Sequence, residues 1–358
     1  MTQMNDDSRQ AVDRGIDWLL TQQGDDGGWH SATYGQLKDG AAVTTLVLDA
    51  VSRLPQAGGR LAAIRRGLAF LDRGLARRGT IASPDGSLDF PTYAAGLWLT
   101  SRRRLGLAPP AEQRKRLMEY LLGAQVVEGR GFAADSPSYG GWDFLGKGDA
   151  QGITTGTNIS VTRYVLEALG QVRGGQEPAV AGRDEGIGRA MGLGKAYVLR
   201  CQQPDGGFTF TCERASLNNK AAYSDEELTK PRPYATATCD GVLALIACGA
   251  AADDQRVAKA IDWLVKRPSL EIVPGFEGLP PEAGWQRGLR YYYYAGLASV
   301  LAYFPAAEGE VRRAALARHV IGLQTKDGSW INESDRMREN DPLIATALAL
   351  TALSAADD

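Results

Sequence analysis

The sequence predicts an all-α protein, an (α/α)6 toroid of about twelve helices in an outer ring and a parallel inner ring. Three observations predict it. A Gln, a short spacer, Asp-Gly and an aromatic recur three times along the chain. Segments with helical periodicity alternate between two classes. These pairs return at intervals of roughly 50 to 80 residues, the mark of a repeat architecture.

The first helix is predicted over 9–23, where Val12, Ile16, Leu19, Leu20 and Gln23 keep a three- and four-residue rhythm. The punctuation follows at once as Gln22-Gln23-Gly24-Asp25-Asp26-Gly27-Gly28-Trp29. Next comes 41–53, apolar or small nearly all round, and a helix without a polar face is buried on all sides. The second pair is 60–76, with Leu61, Ile64, Leu68, Leu71 and Leu75 on one stripe, and the buried-type 91–102. The remaining pairs are 111–125 with 158–171, 186–202 with 234–250, 254–267 with 291–304, and 310–324 with 341–355. The punctuation recurs as Gln202-Gln203-Pro204-Asp205-Gly206-Gly207-Phe208 and as Gln324-Thr325-Lys326-Asp327-Gly328-Ser329-Trp330. Ile16-Asp17-Trp18-Leu19-Leu20 also returns as Ile261-Asp262-Trp263-Leu264-Val265. Half-exposed helices thus alternate with buried ones, and parallel inner helices gather their N-termini at one end. The whole of 1–358 is expected to form one domain. Insertions at 128–157 and 204–233, rich in Gly, Ser, Pro and Asp, are expected over that end. Long loops inside a domain are more often functional than decorative.

Composition removes several functions. With 40 basic and 42 acidic residues the chain offers nucleic acid no counter-charge, and Arg102-Arg103-Arg104 reads as a solvated cationic helix end. No apolar stretch approaches the roughly 20 residues of a membrane span. The polar start, Met1 to Gln10, lacks the apolar core of a signal peptide, so a cytoplasmic location is expected. Cys201, Cys212, Cys239 and Cys248 show no CxxC spacing and read as free thiols. With only His30 and His319, neither a triad nor a metal site is expected, and no phosphate-binding Gly-loop is present.

The punctuation resembles the "QW" motif of the squalene cyclase and protein prenyltransferase superfamily, and the resemblance covers nearly the whole chain. The second half most resembles a single-domain bacterial branch of it. The segments that carry this are Pro233-Tyr234-Ala235-Thr236-Ala237-Thr238, Arg290-Tyr291-Tyr292-Tyr293-Tyr294 and Asp327-Gly328-Ser329-Trp330-Ile331-Asn332-Glu333, running on to Asn340-Asp341-Pro342. The resemblance implies an apolar, aromatic-lined cavity suited to an isoprenoid; with so few possible metal ligands, no cofactor is expected. It also implies structural roles for Trp29, Phe208 and Trp330. The superfamily's acid motif, Asp-x-Asp-Asp, is absent; Thr236-Ala237-Thr238-Cys239-Asp240 is the best local match, with Thr236 where the acid would stand. The Tyr291–Leu297 stretch resembles the prenyltransferase helix that carries a zinc-binding His, and here it has none.

Asp240 is the candidate general acid, one turn inside a buried helix on the same face as Thr236. A carboxyl kept neutral in an apolar cavity is what protonation of an alkene or epoxide requires; a salt bridge to a neighbouring helix is the competing role. Asp39, Asp89, Asn158 and Asp341 stand at the starts of buried-type helices, where they either line the cavity or cap free N–H groups. Tyr234 and Tyr291, Tyr292, Tyr293 and Tyr294 are cavity candidates, since ring faces stabilise cations. Four consecutive tyrosines span a full turn, so some of them pack between helices instead. Trp142, in the first insertion, is placed as a lid or as packing. A terpenoid cyclase-like isomerase or lyase is therefore expected, working by metal-free, acid-initiated cyclisation or isomerisation. The alternatives are a non-catalytic lipid-binding or protein-interaction scaffold, or a different reaction in the same cavity.

Overall fold

In the computed structural model, the residues described are 6–55, 59–78, 81, 90–146, 156–173, 183–213, 220–224, 230–280 and 284–354. Among them there are helices and two isolated β-bridges, and no strand. The half-exposed helices are α1 (Asp6–Thr21), α3 (Gly59–Arg78), α5 (Ala111–Ala124), α7 (Arg183–Arg200), α9 (Gln255–Val265) and α12 (Ala306–Gly322). The buried ones are α2 (Ala41–Ser52), α4 (Pro91–Arg104), α6 (Ile159–Arg173), α8 (Ala235–Ala247), α11 (Arg290–Val300) and α13 (Pro342–Ser354). One short helix, α10 (Trp285–Gly288), precedes α11.

The two classes differ as their composition demands. In α1 the buried positions are Ser8, Ala11, Val12, Gly15, Ile16 and Leu19, a single stripe at three- and four-residue spacing. In α8 every residue from Ala235 to Leu245 is buried. By contact, the chain forms two compact units, residues 1–89, 101–108 and 268–358, and residues 90–100 and 109–267. In the first, α13 packs against both α2 and α11, with α1 and α12 also against α13. In the second, α6 packs against α8, and α7 touches both. Gly96 lets α4 approach α6 closely, since a Cβ there would lie 3.0 Å from the Tyr164 carbonyl oxygen.

Among the described residues, the punctuation is one hydrogen-bonding device built four times. Each Gln side chain donates both to the carbonyl of a nearby Gly and to the carbonyl of the next half-exposed helix. Gln23 reaches Gly27 (2.8 Å) and Ala63 (2.9 Å), and Gln125 reaches Gly140 (2.8 Å) and Ala190 (2.9 Å). Gln202 reaches Gly206 (3.1 Å) and Arg256 (2.8 Å), and Gln324 reaches Gly328 and Ala11, both at 2.8 Å. The aromatic then turns inward, its backbone N–H bonded to a threonine hydroxyl of a buried helix: Trp29 to Thr44, Trp142 to Thr162, Phe208 to Thr238 and Trp330 to Thr346. The three indole N–H groups donate to Leu19, Leu121 and Val320 carbonyls, each at 2.7 Å. The Gly in each turn has a positive φ; at Gly27 (φ 90°) a Cβ would also lie 2.6 Å from the Arg66 carbonyl oxygen.

Candidate functional site

In the second unit, both insertions supply backbone acceptors to the first turns of buried helices. The Phe144 carbonyl accepts the Thr92 N–H of α4 at 3.4 Å, and the Trp142 carbonyl accepts the Asn158 N–H ahead of α6 at 3.1 Å. The Phe210 carbonyl accepts the Ile159 N–H at 2.8 Å, and the Phe208 carbonyl accepts the Tyr234 N–H ahead of α8 at 3.2 Å. Residues 147–155, 214–219 and 225–229 of the insertions lie outside the described residues.

These ends carry an unbroken run of rings. Phe90 packs edge-on to Phe144 at 5.2 Å, Phe144 stacks on Tyr93 at 6.0 Å, and Tyr93 tilts against Tyr164 at 4.7 Å. Phe90, Tyr93 and Phe144 are each half-buried, and Tyr164 is buried. The Tyr93 hydroxyl is fixed by a short hydrogen bond with the Ser160 hydroxyl. Phe90 has φ 46°, a left-handed conformation that costs a bulky L-residue roughly 1–2 kcal/mol. Such strain persists where its surroundings hold it, and the Phe90 ring packs against Phe144.

At the other end of the run, the Arg163 guanidinium lies 4.2 Å from the Tyr164 ring centre. It also holds two carboxylates: Arg163 Nη1 is 3.3 Å from Asp240 Oδ1, and Nε is 2.8 Å from Glu167 Oε1. Asp240 is buried, as are Thr236 and Tyr234. Burial pushes the Tyr234 hydroxyl well above the usual range, and the Asp240 charge adds to this against a hydrogen bond with Thr236. Tyr234, Thr236 and Asp240 therefore share one neighbourhood. Asn158 is an N-cap, its Oδ1 accepting the Val161 N–H at 2.9 Å, while its Nδ2 is buried without a hydrogen-bond partner. Trp142 is fully buried, in the packing role of the second punctuation.

The first unit holds the other candidates. Asp341 caps α13, its Oδ1 accepting the Leu343 N–H at 2.9 Å and its Oδ2 a short hydrogen bond from the Ser31 hydroxyl. Asp39 precedes α2, and its Oδ2 is buried without a hydrogen-bond partner. Asp89 lies outside the described residues. Three of the four tyrosines are buried and satisfied by backbone: Tyr291 donates to Ile331, Tyr293 to Ser269 and Tyr294 to Leu270. Tyr292 alone of the four is half-buried.

Glu339 was not singled out from the sequence, yet it is as enclosed as Asp341. It is 1 % exposed and accepts N–H bonds from Tyr291 and Tyr292, both at 2.9 Å, and from Asn332 at 2.8 Å. It thus caps α11 from outside that helix. Burial pushes it up to about 7, against the pull of those three donors. Among the described residues, no three His, Cys, Asp or Glu side chains are grouped so as to hold a metal ion, and no helix is long and apolar enough to cross a membrane.

Comparison with solved structures places the fold. The chain matches the type II terpene cyclase MstE from Scytonema, without ligand, at a TM-score of 0.63 and 17 % identity, covering 98 % of each chain. A variant of MstE in complex with its substrate, geranylgeranyl dihydroxybenzoate, matches at 0.60 and 16 %, covering 98 % of this chain and 97 % of that one. A protein from Actinoplanes matches at 0.61 and 20 %, covering 98 % and 100 %. No protein-family model and no curated relative matches the chain. The likeness shows the fold: this chain has the all-helical terpenoid cyclase fold, the toroid class expected from the punctuation and the alternating helices.

Proposed function

We propose that the chain binds an isoprenoid against the Phe90–Phe144–Tyr93–Tyr164 rings and cyclises it through cationic intermediates. The run of rings carries this proposal: half-buried aromatic faces attract developing positive charge, and they do so more strongly where water is excluded. The fold shared with a type II terpene cyclase that takes a geranylgeranyl substrate supports it. Asp240 is the proton donor in this proposal. Acting as donor requires Asp240 to carry a proton while Arg163 keeps its 2.8 Å pair with Glu167. Delivery then requires that the 3.3 Å pair with Arg163 open. That pair also favours a second role, in which Asp240 is purely structural and the protein holds an isoprenoid without converting it.

The test is incubation of the purified chain with squalene, oxidosqualene and C15 to C20 prenyl diphosphates, products being read by gas chromatography–mass spectrometry. Saturable binding is measured alongside by quenching of intrinsic fluorescence. A cyclised product lost in Asp240→Asn, with binding retained, supports the cyclase and its acid. A product that survives Asp240→Asn keeps the cyclase and removes the acid. Binding that Phe144→Ala weakens, without turnover, supports the second role. Absence of binding to every ligand overturns both.

A further inference from the structure

The Arg163 guanidinium stands between two carboxylates that it does not hold equally. Arg163 and Glu167 lie four residues apart on α6, so their side chains meet on one face of that helix. Asp240 reaches the same guanidinium from α8, the helix packed against α6. The contact of Nε with Glu167 is 2.8 Å, within the range of a charge-assisted hydrogen bond, whereas that of Nη1 with Asp240 is 3.3 Å. The Tyr164 ring centre lies 4.2 Å away, so neighbours on its own helix hold the guanidinium on two sides.

Little water screens this competition. The side chains of Arg163 and Asp240 are 6 % and 2 % exposed, and that of Glu167 is 17 % exposed. Tyr234 and Cys239 also act on Asp240, and burial raises both, so they stay uncharged. Two half-exposed helices, α7 and α9, pack against α8, and among the described residues their buried positions carry no charged side chain. A negative charge on the far side of Arg163 is therefore felt at Asp240.

We propose that Glu167 is a positioning residue for Asp240: by competing for the Arg163 guanidinium, it makes Asp240 easier to protonate. This rests on the reading of Asp240 as the proton donor. Without Glu167 the whole charge of Arg163 would favour the ionised form of Asp240. With it, a proton arriving on Asp240 gives up only the longer of the two contacts, and Arg163 stays paired. On delivery the O–H bond of Asp240 breaks and its electrons stay on the carboxylate. The alkene π pair forms the new C–H bond and leaves a cation on the adjacent carbon. The carboxylate so formed returns to Arg163.

The test uses the full chain with carbon-13 at the aspartate carboxyl carbons, titrated and followed by nuclear magnetic resonance. The Asp240 signal is the one lost in Asp240→Asn. In Glu167→Gln that signal should titrate at a pH lower by roughly one unit than in wild type. Glu167→Ala should move it the same way, and Glu167→Asp, which keeps a carboxylate, should return it toward the wild-type value. A purely structural pair would lower stability in these variants and leave the midpoint where it was. An unchanged or raised midpoint in Glu167→Gln or Glu167→Ala therefore overturns the proposal, and either variant suffices if the other does not fold. Product formation from the same isoprenoid panel keeps the two readings apart. A lowered midpoint with no cyclised product from wild type supports the role of Glu167 and removes the cyclase. Where product forms, the pH above which turnover is lost should fall with the midpoint, and a turnover profile that stays in place overturns the proposal.

Discussion

Replacing Gln125 by Ala should destabilise the protein far more than the same change at Gln202, although both residues occupy the same place in the repeated device. Gln125 is 3 % exposed, and its amide donates to Gly140 and Ala190 at 2.8 and 2.9 Å, all within buried surroundings. Truncation removes two hydrogen bonds worth about 0.5–1.5 kcal/mol each, and water cannot enter to replace them. It also leaves a small void where the side chain stood, for a total loss of about 2–4 kcal/mol. Gln202 makes the equivalent bonds at 3.1 and 2.8 Å, but the one to Arg256 is exposed, so water takes over. Its loss should stay near 1 kcal/mol. Urea denaturation of both variants beside wild type, compared by extrapolated unfolding free energy, measures the difference. A loss at Gln125 no larger than at Gln202 would refute the idea that burial of the amide sets its contribution.

Gly328→Ala should cost about 1–3 kcal/mol, because φ is 95° and a Cβ would lie 2.7 Å from the Arg14 carbonyl oxygen. Gly192→Ala, in α7 with nothing within 4 Å, should instead stabilise by about 0.5–1 kcal/mol; thermal melts read both signs. Burial would raise the Asp49 carboxyl, but Arg104 and Arg53 overcome it and hold the group at about 2, below its ordinary 3.8. That pairing adds stability above pH 3.8, which is lost as pH falls through 2. The advantage of wild type over Asp49→Asn should therefore shrink by about 2 kcal/mol across that window in denaturant titrations. Glu339 has the opposite sign. Its folded value of about 7 exceeds the ordinary 4.5, so its contribution is present below pH 4.5 and lost as pH rises through 7. Relative to Glu339→Gln, wild type should lose about 2–3 kcal/mol between pH 5 and pH 8, and a flat difference would refute the assigned state.

Most of the fold was legible because burial is written into composition: α8 and α13 have no polar face, and α1 has one narrow stripe. The device behind the punctuation was harder to read. Its second copy escaped notice because the insertion carries Gly140 and Trp142 far from Gln125, and short spacing was the signal. The threonines that receive each aromatic, Thr44, Thr162, Thr238 and Thr346, look like ordinary small residues of a buried helix. Asp240 stood out as a carboxylate inside an apolar helix, and its partner Arg163 did not, since pairing across helices has no local spacing. The rings of Phe90, Tyr93, Phe144 and Tyr164 come from three separate segments and meet only through the fold. The four consecutive tyrosines drew attention by repetition, yet three of them spend their hydroxyls on backbone carbonyls. Glu339 carried no signal, because its donors belong to Tyr291, Tyr292 and Asn332.

The most direct test of the central claim is photolabelling with a geranylgeranyl chain bearing a diazirine, followed by peptide mapping of the labelled sites. The ring-lined site predicts label on the segments that hold Phe90, Tyr93, Phe144 and Tyr164, competed away by unlabelled geranylgeraniol. Saturable label confined to other segments, with these four left untouched, would contradict it.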